Sequence, residues 1–151
     1  MVQVIQTDPK GPLLPFKGKG GARVRLRELE QRQVMIEQAM RTVAQEFKEI
    51  FRPPRTAHLA VHHQGGYFNL RWRATTNGAC GQTYFELAAS DRGQHLLTGL
   101  PPAVRSLFLR FERQRLELNL ASSICQHELR RLRDYLSKLD ALRNCEPGNT
   151  C

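Results

Sequence analysis

Residues 58–73 read HLAVHHQGGYFNLRWR, two runs of alternating character on either side of Gly65-Gly66. Apolar side chains recur every second position in the second run (Phe68, Leu70, Trp72), which is the period of a strand with one face buried. Paired glycines between two such runs supply the left-handed backbone of a tight turn, so the stretch predicts a β-hairpin. If Phe68, Leu70 and Trp72 face a core, then Tyr67, Asn69, Arg71 and Arg73 point the other way. A third strand from Gln82 to Leu87 is expected after the Asn77-Gly78 turn, with Gln82 and Tyr84 on the same outward side.

The flanks of the hairpin have a different period. Ala22, Leu26, Leu29, Ile36, Met40, Val43, Phe47 and Ile50 fall at helical spacing, with Gln33 as the one polar interruption, and Pro53-Pro54 stops the pattern after Arg52. Ser90 to Leu97 reads as a short helix capped by Ser90 or Asp91. Phe111, Leu118, Cys125, Leu132 and Leu139 recur every seven residues, predicting a last helix from about Ala103 to about Leu142, with a bend expected at Ala121-Ser122-Ser123. At about 1.5 Å per residue the two long helices would measure roughly 45 and 60 Å, too long to stand alone. The expected fold is therefore α+β: two long antiparallel helices packed with a small three-stranded antiparallel sheet, in the order helix, strand, strand, strand, short helix, helix. Residues 1–21, rich in Pro and Gly, are expected to form a flexible basic arm. A single α+β domain is expected over 22–143, and a tail over 144–151.

Charge narrows the partners. The 151 residues carry a formal net charge of +9, and clustered Lys and Arg displace the counterions condensed on nucleic-acid phosphates. Between Glu49 and Glu86 there is no acidic residue, while Arg52, Arg55, Arg71 and Arg73 occupy that span. The outward strand face would interleave cations, amides and rings, the composition of a surface that tracks a phosphate backbone and stacks on bases. The expected contacts are Arg55, Tyr67, Asn69, Arg71, Arg73 and Tyr84 on the sheet and its approach. Lys17, Lys19, Arg23 and Arg25 are expected to make contacts from the glycine-rich lead-in to the first helix. The expected partner is DNA, single-stranded or duplex. A homodimer through the helix seams and a protein partner are the further expectations.

Other chemistries find no motif. Lys19 is followed by Gly20 and not by Ser or Thr, so the phosphate loop of a nucleotide hydrolase is absent. Ser122, Ser123, Cys125 and His127 do not converge on one helix face, so no nucleophile meets a base. His58, His62 and His63 lack clustered cysteines, and the four cysteines form no C-x-x-C pair. The reading is a non-enzymatic, cytoplasmic chain with no metal, no cofactor and no membrane span.

Three stretches carry a resemblance: LLPFKGKG (13–20) leading into a long helix, LRWR (70–73) in a strand, and FERQRLELNL (111–120) in the last helix. Together they resemble a family of small proteins carried by bacterial integrating conjugative elements, over residues 13 to 139. The resemblance transfers no catalytic residue. It implies a setting, the maintenance or transfer of a mobile element, in which DNA-binding accessories occur beside adaptors and inhibitors that bind element-encoded or host proteins.

Overall fold

The computed structural model describes residues 13–75 and 83–148. The elements are α1 (Gly18–Ile50), β1 (Ala57–Gln64), β2 (Tyr67–Ala74), β3 (Tyr84–Phe85), α2 (Asp91–Thr98) and α3 (Pro102–Asn144), the expected α+β order. No helix among the described residues is long and apolar enough to cross a membrane. Packing divides the chain into two compact units inside both long helices, after Glu30 and before Glu128.

The smaller unit holds the start of α1 and the end of α3. Ala22, Leu29, Leu129 and Leu132 are buried between them, while Lys19 pairs with Asp140 and Arg25 with Glu128 across the pair, so the segments run antiparallel. Helix α1 begins at Gly18, four positions before the expected Ala22. Gly18 turns the chain at φ 64°, and Gly21 gives Phe16 room to fold back: a Cβ there would lie 3.2 Å from the Phe16 Cβ. Phe16 in turn packs against Tyr135, ring centroids 6.2 Å apart. The expected arm is thus helical from Gly18 onward. Residues 1–12 and 149–151 of the expected arm and tail lie outside the described residues.

The larger unit, 31–127, contains the sheet. Strands β1 and β2 are antiparallel from Ala57↔Ala74 to Gln64↔Tyr67, joined by Gly65 and Gly66 at φ 61° and 86°, the sense of twist that matches a hairpin. The strand order is β1-β2-β3. Leu59, Leu70 and Trp72 are fully buried, and Phe47 meets Trp72, Phe108 and Phe111 edge-on at centroid distances of 5.2, 5.3 and 5.2 Å.

Helix α3 closes the edge of β2 that β3 leaves open. Asn119 accepts from the Leu70 N–H (2.7 Å) and donates to the Leu70 carbonyl (2.9 Å). The Ser122 hydroxyl donates to the Phe68 carbonyl at 2.7 Å. Gln33 donates to the Gly66 carbonyl (3.2 Å) and to Gln126 (3.0 Å). Alternate carbonyls along this edge, which would otherwise be costly to bury, are therefore matched by side chains, two of them a helical turn apart on α3 and the third, Gln33, from α1. The serine in the expected bend fastens the strand, and α3 runs through it without interruption.

The third strand is shorter than expected. Among the described residues Tyr84 and Phe85 form the strand paired with β2, and the Thr83 carbonyl accepts from the Ala74 N–H at 3.0 Å; beyond them Leu87 is drawn into the core and the chain turns toward α2. Gln82 and the Asn77-Gly78 turn lie outside the described residues. Ser90 caps α2, accepting from the Gly93 N–H at 3.1 Å. A Cβ on Gly93 would collide with the carbonyl oxygens of Leu87 and Glu86. Gly93→Ala is accordingly expected to cost about 3 kcal/mol, because rigid backbone must give way; chemical denaturation measures it.

Candidate nucleic-acid interface

The alternation of the hairpin builds a polar sheet face. Register sets His58 beside Arg73, Ala60 beside Arg71, His62 beside Asn69 and Gln64 beside Tyr67, with Tyr84 beside Arg73 on the other edge. Tyr84 forms the centre of the face. The Arg71 guanidinium carbon lies 4.8 Å from its ring centroid and that of Arg73 5.6 Å. His62 approaches the ring at 5.4 Å between centroids, its Nδ1 3.2 Å from the Tyr84 hydroxyl.

No carboxylate among the described residues forms an ion pair with Arg71 or Arg73. The nearest break in the acid-free stretch, Glu86, borders an open pocket of about 300 Å³ with Arg71, Tyr84 and Ser90. Its carboxylate is engaged elsewhere, by Arg115 at 2.7 Å. Arg115 is 4% exposed and is held by Glu112, which is 7% exposed and accepts from the Trp72 indole at 2.6 Å. Burial alone would lower the Arg115 pKa, yet the hydrogen bond and charge of Glu112, with Glu86, carry it above its ordinary value. Glu112 is thus used up beneath the sheet, and the exposed Glu86 at its border is paired with Arg115.

Cations also gather at the base of the hairpin. Arg73 Nε and Nη2 and His58 Nδ1 are buried and lack hydrogen-bond partners among the described residues. Arg55 donates to the Phe51 carbonyl at 2.9 Å. The His58 pKa is lowered, first by burial and then by Lys48, Arg55 and Arg73. No group of three or more His, Cys, Asp or Glu among the described residues converges on a common point that would suit a metal.

A lowered histidine pKa has a signed consequence. The unfolded chain, whose histidines titrate near pH 6.5, takes up the His58 proton before the folded one does. Stability therefore falls as the pH drops from above 6.5 through the lower folded value. His58→Gln should flatten that part of the profile, read as the difference in urea midpoint from wild type at several pH values.

No family model, curated protein or solved structure matches the chain.

Of the expected contact residues, Tyr67, Asn69, Arg71, Arg73 and Tyr84 share the sheet face and Arg55 stands at its base. Lys17, Lys19, Arg23 and Arg25 belong to the smaller unit. There Arg25 is committed to Glu128 through two hydrogen bonds of 2.8 and 3.1 Å, and Lys19 to Asp140. Lys17 and Arg23 are exposed. Sequence reasoning did not name His58, His62 or Lys48 as contact residues, although the three histidines fall within the acid-free span. The signal was available in the alternation of β1, which sends His58, Ala60 and His62 to the same side.

Proposed function

We propose that the protein binds DNA through the outer face of its sheet, as a non-enzymatic cytoplasmic accessory in the maintenance or transfer of a mobile conjugative element. One observation carries the reading: Tyr84 is bracketed by Arg71 and Arg73, and neither arginine has an acidic partner among the described residues. A guanidinium without a carboxylate keeps its solvent-facing donors for phosphate, a role that falls first to Arg71 because Nε and Nη2 of Arg73 are buried, and both guanidinium planes and rings stack on unpaired bases. Single-stranded DNA suits such a face best, since its bases are open to stacking while the cations follow the backbone. No cofactor enters this role.

The test is fluorescence anisotropy with labelled single-stranded and duplex oligonucleotides across a salt series. Binding is expected at low salt, tighter for the single strand, and falling with a log–log slope of about 0.7 per phosphate neutralised. Absence of binding at low salt rejects the reading. Preference for duplex would move the contact from stacking to backbone charge.

A further inference from the structure

Helix α3 is apolar on two opposite faces. One is buried, with Phe108, Phe111 and Cys125. On the other, Leu109, Leu116, Leu120 and Ile124 are 44, 53, 62 and 58% exposed, at steps of seven, four and four residues that align them in one stripe. Single exposed leucines are ordinary on a protein surface, but a stripe at helical period is the docking face of another helix.

Charge at the stripe identifies the occupant. Arg113 and Glu117 flank it one turn apart, and neither has an ion-pair partner among the described residues. The neighbouring cations are turned away: Arg105 donates to the Leu97 carbonyl at 2.9 Å, and Arg110 lies over the Phe111 ring at 5.4 Å. A chain of net charge +9 repels its own copies except where a patch is locally neutral and self-complementary, and Arg113 with Glu117 makes this one so. A basic rim would have suited an acidic partner instead.

We propose that two copies of the chain associate through this stripe, α3 against α3, antiparallel about a two-fold axis near Leu116 and Glu117. Leu109 of each copy then faces Ile124 of the other, and Arg113 comes within reach of Glu117 across the axis, the self-matching required of an isologous contact. The inference is independent of the DNA-binding reading, because the stripe and the outer sheet face share no residue.

Sedimentation equilibrium of the full chain, from about 1 to about 200 μM, a range that spans ordinary dimer affinities, tests it. The expected result is the mass of two chains at the upper end. Leu116→Glu/Leu120→Glu should reduce it to the mass of one with an unchanged far-ultraviolet circular dichroism spectrum. Arg113→Glu alone should weaken association by about tenfold or more, because each copy then sets a glutamate against Glu117 of the other, and Arg113→Glu/Glu117→Arg should restore it. A wild-type chain that stays single at every concentration overturns the proposal. So does a dimer indifferent to the two leucine changes, or a reversed pair that fails to recover.

Discussion

Arg71→Ala/Arg73→Ala should weaken single-stranded DNA binding by about 10- to 100-fold at low salt and make its salt dependence shallower by about 1.4 in log–log slope. The first figure follows from losing two charge-assisted contacts of about 1 kcal/mol or somewhat more each at a partly exposed surface, with 1.4 kcal/mol per decade. The second follows from two phosphates no longer neutralised at about 0.7 each. Fold stability should hold, since among the described residues neither side chain makes a hydrogen bond or ion pair that holds elements together. Tyr84→Ala separates the other component: it should lose the stacking share, about 1–3 kcal/mol per base, while leaving the salt slope near its original value. Wild-type affinity in the double arginine variant would remove the sheet face from consideration even if the protein bound DNA elsewhere.

Glu112→Ala is expected to lower the unfolding free energy by about 3 kcal/mol, measured by urea denaturation. The reason lies in what remains. Arg115 stays buried with only the exposed Glu86 to balance it, and the Trp72 indole loses its acceptor at 2.6 Å. Removing one member of a buried pair costs about 3–5 kcal/mol because the other is left uncompensated, and the surviving Glu86 contact puts the figure at the lower end. Glu112→Gln keeps an acceptor for Trp72 while surrendering the charge, so it should fall between wild type and Glu112→Ala. Lys138→Ala breaks an exposed ion pair within one helix, with Asp134, and should show no measurable change. Equal effects of Glu112→Ala and Lys138→Ala would mean that the network beneath the sheet does not stabilise the fold.

Much of the architecture was legible. Gly65-Gly66 between period-two runs located the hairpin to within a residue at most ends, and the seven-residue recurrence from Phe111 to Leu139 located α3, because each pattern reports directly on which side chains must leave water. The start of α1 was not legible: glycine argues against helix locally, whereas Phe16 packing over Gly21 and the contacts of Lys19 and Arg25 are tertiary. The same override hid the partners of those two cations, whose carboxylates lie more than a hundred residues away in sequence. The polar side of α3 was the larger omission. Glu112, Arg115, Asn119, Ser122 and Gln126 step by three and four residues, a second stripe in phase with the apolar seam. Charged and amide residues on a helix ordinarily mean solvent, and only the presence of an unpaired strand edge beside them reverses that meaning. Gln33, which interrupted the α1 pattern, belongs to the same set.

The rungs from Asn119 and Ser122 to Leu70 and Phe68 grip main-chain atoms alone. What secures β2 is therefore blind to the letters written at positions 67, 69, 71 and 73. Such a scaffold can exchange its outward vocabulary, trading one ligand preference for another, without renegotiating how the strand is anchored.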